Sequence, residues 1–128
     1  MGKLAQNREE MVLSLINRKT MQAKTKDGGC TYSHEHNGGC AIGCQVMAKT
    51  ANKLNRLGNG FIWNNSVFYA LPQRMQKMGQ EFLRDVQKVH DNNGHWRKEP
   101  DADGNVWNSF GKQGIRDLIT KYELEIDY

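Results

Sequence analysis

The chain has 128 residues, of which 38% are hydrophobic and 25% are charged, and its formal net charge is +4. This length suits one ordinary domain, residues 1–128, and no run of about 18 apolar residues suggests a membrane-spanning helix. Three cysteines cannot all pair with one another, and the N-terminus lacks the apolar stretch of a signal peptide, so we do not expect a secreted disulfide scaffold. We expect a soluble, cytosolic protein.

The first predicted helix is followed by a group of positive charges. Met11, Val12, Leu15 and Ile16 recur at helical spacing and predict a helix over residues 4–19. Four cations lie at or just beyond its end: Arg18, Lys19, Lys24 and Lys26. Such a group suits the phosphates of a nucleic acid, and a solvated linker is the alternative interpretation. No aromatic residue precedes Tyr32 to stack on single-stranded bases, which weakens the nucleic-acid interpretation.

All three cysteines and two of the four histidines fall within residues 30–44. Asn37-Gly38-Gly39 lies between two short segments there, and this turn sequence predicts a β-hairpin. Because side chains alternate along a strand, the length of the loop decides which of them share a face. Gly39 suits the left-handed last position of a three-residue loop, so we favour that length over a two-residue loop.

The three-residue loop would bring cysteines and histidines together. It sets His36 opposite Cys40 and Tyr32 opposite Cys44, with their side chains on one side of the hairpin. A two-residue loop would instead set Glu35 opposite Cys40 and separate the two groups. The register therefore decides whether the hairpin presents a chemically active face.

Three interpretations of this face remain open. In the first, the cysteines are small buried apolar residues that pack against the helices. In the second, Cys40 is a reactive thiol with His36 or His90 as its base and Asp91 nearby. In the third, the segment binds zinc, although its spacing differs from the usual paired ligands of structural zinc sites. The candidate ligands are Cys30, His34, His36, Cys40 and Cys44.

Hydrophobic spacing predicts three more helices, over residues 45–57, 72–91 and 106–121. The second of these is the clearest amphipathic helix in the chain. Its apolar stripe comprises Met75, Met78, Phe82, Val86 and Val89. Residues 59–71 are predicted to be irregular, with a short helix from Ser66.

The helix over 72–91 ends at His90 and Asp91, which either cap and pack the helix end or face the hairpin cysteines as part of a site. Residues 122–128 alternate between apolar and acidic side chains, as in a strand with one solvated face. A lone strand needs a partner, and the hairpin over 30–44 is the candidate. The sequence therefore predicts an α+β fold of about four helices on a small antiparallel sheet.

Two parts of the chain resemble short phage and prophage proteins. In those proteins a Cys-x-Tyr segment precedes Gly-x-x-Cys-Ala-x-Gly, as Cys30-Thr-Tyr32 here precedes the residues Gly-Cys-Ala-Ile-Gly-Cys at 39–44. Many also have a later helix that ends in His-Asp and is followed by Trp, here His90-Asp91 and Trp96. After position 44 this chain departs from their pattern. The resemblance implies a phage origin and no particular activity.

On this basis we expect a phage-encoded accessory protein of the host cytoplasm that binds and inhibits or sequesters a host factor, as counter-defence proteins do. Its partner is expected to be a host protein or a small signalling nucleotide, with nucleic acid as a further candidate and no cofactor. The alternatives are a small cysteine-dependent enzyme and a zinc-stabilised nucleic-acid-binding protein. The candidate binding residues are Arg18, Lys19, Lys24, Lys26, Tyr32, His34 and His36.

Overall fold

The computed structural model describes residues 4–25, 31–57 and 64–128, and six α-helices lie in these parts of the chain. The helices are α1 (Arg8–Ile16), α2 (Ala48–Arg56), α3 (Asn65–Tyr69), α4 (Gln73–Gln76), α5 (Gln80–Asp91) and α6 (Ser109–Lys121). Two short 3-10 turns precede α2 and follow α5: Gly43–Gln45 and Asn93–His95.

No β-strand occurs in the described residues, where an isolated antiparallel bridge joins Trp96 and Trp107. The predicted α+β fold, with a hairpin over 30–44 and a strand over 122–128, is therefore wrong for this part of the chain, which is helical. Cys30, the first residue of that hairpin, lies outside the described residues.

The predicted hairpin is replaced by a helical turn over residues 33–39. The amides of His36 and Gly38 donate to carbonyls three and four residues earlier, at 3.2 and 3.3 Å. Asn37, Gly38 and Gly39 then adopt left-handed φ angles of 53°, 80° and 90° and reverse the chain. The turn sequence correctly predicted that the chain reverses direction here. The backbone amides donate within the turn, so they are not available for hydrogen bonds between two strands.

The C-terminal residues 122–128 form no strand because α6 ends in a Schellman motif. The amide of Leu124 donates to the Ile119 carbonyl at 2.9 Å, and that of Glu123 donates to Thr120 at 3.3 Å. Glu123 occupies the left-handed position of this motif, with φ 51°. Leu124 is buried against the core. The apolar alternation thus reflects packing on the helices and not pairing with a strand.

The predicted helix over 72–91 is interrupted once. Gly79 lies between α4 and α5 and immediately precedes α5. Its φ of 97° is a conformation that L-residues rarely adopt. The carbonyl of the preceding Met78 accepts a hydrogen bond from Arg8 Nε at 2.8 Å. The break therefore connects this helical segment to α1.

Asparagine caps set where three helices begin. The side-chain oxygens of Asn7, Asn64 and Asn108 each accept from an amide two or three residues later, at 2.9 Å, at the starts of α1, α3 and α6. The predicted helices over 4–19, 45–57 and 106–121 are confirmed in type. Each begins a few residues later than predicted.

The core draws on most of the helices. Met11, Leu54, Met75, Phe82 and Ile115 come from α1, α2, α4, α5 and α6, and each is no more than 1% exposed. Burial of such a side chain stabilises the fold by about 1.5–3 kcal/mol. Helix α6 contacts both α1 and α5. Among the helices in the described residues, none has the length and apolar character that crossing a membrane requires.

Candidate functional site

The cysteine-containing loop folds tightly around the backbone of Tyr32. A Cβ atom on Gly43 would overlap the Tyr32 carbonyl oxygen and lie 2.7 Å from the Tyr32 Cα. A Cβ atom on Gly39 would lie 2.6 Å from the same carbonyl oxygen. The Cys40 amide closes the loop by donating to the Thr31 carbonyl at 2.9 Å. The two glycines are therefore required for close approach of the backbone.

Cys40 is a buried thiol without a base. Its side chain is 1% exposed, and Sγ accepts a hydrogen bond from the Gly43 amide at 3.3 Å. No hydrogen bond joins this sulfur to His36 or His90 within the described residues. Burial raises the pKa of the Cys40 thiol to about 12, so the nucleophilic thiolate is scarce at neutral pH. This arrangement does not resemble that of an activated nucleophile.

His90 is fully buried, and both of its ring nitrogens have partners. Nε2 accepts from the Ala23 amide at 3.1 Å, which assigns the proton to Nδ1, and Nδ1 donates to Asp91 Oδ1 at 2.8 Å. Burial lowers the pKa of the imidazole, although the Asp91 hydrogen bond opposes this effect. Asp91 also accepts from Gln87 Nε2 at 2.8 Å, and Gln87 Oε1 accepts from the Ile42 amide at 3.3 Å. The network ties the end of α5 to the cysteine loop.

The predicted zinc ligands do not come together. No group of three or more His, Cys, Asp or Glu side chains within residues 4–25, 31–57 and 64–128 is arranged to hold a metal ion. His34 Nε2 is instead hydrogen-bonded to the Gly43 carbonyl at 2.7 Å, and His36 is half-buried. Cys30 lies outside the described residues. The candidate ligands inside them that fail to converge are His34, His36, Cys40 and Cys44.

Arg18, predicted as a binding residue, is mainly a structural cation. It is 8% exposed, and its guanidinium donates to the carbonyls of Met21 and Gly39 at 3.0 and 2.8 Å. Its Cζ atom lies 5.6 Å from the centre of the Trp96 ring. Burial lowers the pKa of Arg18, but an arginine remains charged at neutral pH. The positive charge thus lies beneath the loop surface.

The other predicted binding residues differ in their exposure. Lys19 is exposed, and its Nζ donates to the Asp103 carbonyl at 3.2 Å. Lys24 is half-buried, Tyr32 is 7% exposed, and Lys26 lies outside the described residues. The structure therefore does not present Arg18, Lys19 and Lys24 as one open basic surface.

A groove lies between α1 and the loop over residues 37–45, and we call it the α1 groove. It has a volume of about 610 Å³, within the range of small-molecule sites. Asn17 and Lys19 line it on the α1 side, and Asn37 and Cys44 line it on the loop side. Its walls therefore combine amide, cationic and thiol groups.

Charge is distributed unevenly along the α1 groove. Glu10 lines it two helical turns before Asn17, about 10.5 Å away along the axis of α1. Arg18 and Lys19 line the opposite end, and Leu13, 40% exposed, lies between the two ends. The α1 groove thus has an acidic end, an apolar middle and a basic end.

Sequence reasoning missed the residue that holds the floor of the α1 groove. Gln45 is buried, its Oε1 accepts from the Ala5 amide at 2.7 Å, and its Nε2 donates to Ser14 Oγ. Arg74 donates to the Gln45 and Ala5 carbonyls. These partners lie between 29 and 69 positions apart in the chain, so no local spacing could indicate them.

Comparison with known protein families, with curated proteins and with solved structures found no match to this chain. The phage origin that the cysteine motif implies therefore stays a prediction.

Proposed function

We propose that this protein is a phage-encoded accessory protein of the host cytoplasm that sequesters a small signalling nucleotide by stoichiometric binding in the α1 groove. The observation that carries this proposal is the size and polarity of that groove. Its volume of about 610 Å³ suits a small molecule, whereas a protein partner usually needs a much broader surface.

The charge pattern of the α1 groove favours a ligand with one anionic end. Lys19 and the buried charge of Arg18 would attract a phosphate, and the Asn17 side chain offers an amide donor beside it. Asn37 Nδ2 donates one proton to the Gln22 carbonyl at 3.1 Å and has a second proton to offer. Leu13 provides apolar surface for a flat base. Glu10 accepts from the Gln6 amide and the Asn7 side chain, and its remaining lone pairs would accept from the amino groups of that base at the far end. A nucleotide carries these three chemical features in this order.

Binding is favoured over catalysis because the candidate catalytic side chains are buried and already hydrogen-bonded within the fold. Cys40 is buried and protonated, and both ring nitrogens of His90 are already hydrogen-bonded. A general base must be within hydrogen-bond reach of the proton that it removes. Neither His36 nor His90 forms a hydrogen bond to Cys40 Sγ. The cysteine-dependent enzyme is therefore the weaker candidate.

Isothermal titration calorimetry against a panel of linear and cyclic nucleotides tests the proposal. At least one nucleotide is expected to bind with a stoichiometry near one and to be recovered unchanged. Lys19→Gln combined with Asn17→Ala should weaken binding about tenfold or more, because a hydrogen bond to a charged group is worth about 1.5–3 kcal/mol. Lys112→Gln removes the same charge from α6 and should leave affinity unaltered.

Three results would contradict the proposal. The first is that no nucleotide in the panel binds. The second is that the double variant binds as tightly as the wild type, which would place the site elsewhere. The third is that the nucleotide is recovered as a cleaved product, which would show an enzyme. Binding of a host protein that is blocked by the double variant would assign the α1 groove to a protein partner instead.

A further inference from the structure

Helix α2 presents three cations to solvent on one face. Lys49, Lys53 and Arg56 are exposed and lie at positions i, i+4 and i+7, so their side chains form a single stripe about 10.5 Å long. We call these three residues the basic stripe. Ala51 and Leu54 lie on the opposite face and are fully buried. The core therefore fixes which side of α2 faces outward.

The basic stripe has no negative partner among the residues that the structure describes. Residues 36–80 contain five Lys or Arg and no Asp or Glu. None of the three side chains makes a hydrogen bond, ion pair or ring contact with another residue of the described ranges. Within the described part of the chain, the stripe is thus a positive surface without a paired carboxylate.

Stability of α2 accounts for only part of the basic stripe. Like charges at i and i+4 repel one another on a helix, as Lys49 and Lys53 must here. Lys49 also lies in the first turn, where the helix dipole disfavours a cation, and that turn contains no acidic residue. The N-cap residue, Met47, makes no side-chain hydrogen bond. Lys53 and Arg56 lie in the last turn, where the helix dipole favours cations, but the repulsion and the first-turn cation oppose this gain. An external anion explains why all three cations share one face.

We propose that the basic stripe binds the sugar–phosphate backbone of a double-stranded nucleic acid without reading its sequence. Phosphates recur about every 3.4 Å of axis along one strand, so a stripe of about 10.5 Å spans about three of them. Asn52, exposed between Lys49 and Lys53, adds an amide of the kind that donates to phosphate oxygens.

Other polyanionic surfaces fit the basic stripe less well. Helix α2 contains no aromatic residue, so it offers no stacking platform for single-stranded bases. Its apolar residues Ala51 and Leu54 are in the core, so it has no apolar face to insert into a membrane surface. None of its residues lines the α1 groove, and this surface is therefore additional to the proposed nucleotide site.

Fluorescence anisotropy with a labelled duplex of mixed sequence, as DNA and as RNA, tests this surface. Three phosphate contacts predict a slope of about −2.7 for the logarithm of the association constant against the logarithm of salt concentration. Binding should then weaken about 40-fold between about 50 and about 200 mM NaCl. The variant Lys49→Gln, Lys53→Gln, Arg56→Gln should bind at least about tenfold more weakly at about 100 mM, with a slope near zero.

A matched variant controls for net charge. Lys77→Gln, Lys98→Gln, Lys112→Gln removes the same three charges from positions that form no stripe, and it should retain the wild-type slope and affinity within about twofold. Circular dichroism and thermal melting check that both variants fold. Removal of the Lys49–Lys53 repulsion favours the helix and loss of the two last-turn cations disfavours it, so the melting temperature should change little.

Several outcomes would overturn this proposal. Wild-type affinity in the stripe variant would exclude the surface, and an equal loss in the matched variant would show that net charge alone attracts the duplex. Tighter binding to a single strand of the same length, or to polyglutamate, would assign the stripe to a different partner. Nucleotide binding in the α1 groove is measured separately, so either proposal can fail alone.

Discussion

At the residue scale, the most constrained position of the candidate site is Gly43. Its neighbour is the backbone of Tyr32, which cannot swing aside as the end of a flexible side chain can. The Gly43 amide also supplies the hydrogen bond to Cys40 Sγ, and its carbonyl is bonded to His34. Gly43 therefore contacts Tyr32, Cys40 and His34, which the sequence analysis had placed together as candidate site residues.

Gly43→Ala is expected to destabilise the protein severely. The new methyl group would overlap the Tyr32 carbonyl, and overpacking of this kind costs about 1–3 kcal/mol, or more where backbone must move. Gly38→Ala is the matched control, since φ is 80° there but nothing lies within 4 Å. Its cost should be about 1 kcal/mol from the left-handed conformation alone. Urea unfolding of both variants measures the difference, and equal losses would contradict the close approach.

At the element scale, the helices were predictable and the sheet was not. Apolar spacing identified α1, α2, α5 and α6 because each helix must bury one face, a requirement written into local sequence. A strand pair depends on a distant partner, which local alternation cannot supply. The Asn37-Gly38-Gly39 turn signal was correct about a reversal and wrong about the flanking strands. The basic stripe corresponds to Lys and Arg at helical spacing within residues 45–57. That spacing could have predicted a charged face, whereas the apolar spacing of the same segment predicted only the helix.

The end of α6 offers a test of this helical assignment. Glu123 occupies a left-handed position with φ 51°, which costs a residue with a side chain about 1 kcal/mol and costs glycine little. Glu123→Gly should therefore stabilise the protein by about 0.5–1 kcal/mol, whereas glycine within a strand would destabilise it. Thermal melting of this variant beside Glu125→Gly measures the effect. A lower melting temperature for Glu123→Gly would favour the strand.

At the scale of the whole molecule, the network around His90 connects segments that are distant in sequence. His90 reaches Ala23, 67 positions earlier, and Gln87 reaches Ile42, 45 positions earlier. Asp91 links the two side chains within α5. Each polar group of this network has a hydrogen-bond partner. Removal of one side chain would therefore leave its partners unsatisfied, which lowers the free energy of unfolding by about 1–3 kcal/mol for each buried group.

This network predicts how stability depends on pH. Burial lowers the pKa of His90 in the folded state, with Arg18 and Lys24 acting in the same direction and Asp91 opposing them. The unfolded chain therefore binds a proton at a higher pH than the folded protein does. Stability is then full above the ordinary histidine pKa of 6.5 and falls as pH decreases from there through the folded-state pKa.

Urea unfolding midpoints between about pH 7.5 and about pH 5 measure this dependence. The wild type should lose stability over this interval, and His90→Gln, which cannot titrate, should start less stable but vary less with pH. Carboxylates that do not contact His90 contribute equally to both proteins, so the difference between the two profiles reports His90 together with its partner Asp91. Parallel profiles would show that His90 does not carry the effect.

The sequence by itself determined the helical segments, the chain reversal at Asn37–Gly39 and the net positive charge, because each depends on residues close together in the chain. Tertiary structure alone decided that Cys40 and His90 are buried core groups, with no hydrogen bond between them. It also decided that α1 and a distant loop enclose a groove, and that the cations of α2 face solvent. These outcomes depend on which surfaces exclude water, and burial is a property of packed elements that local spacing does not contain.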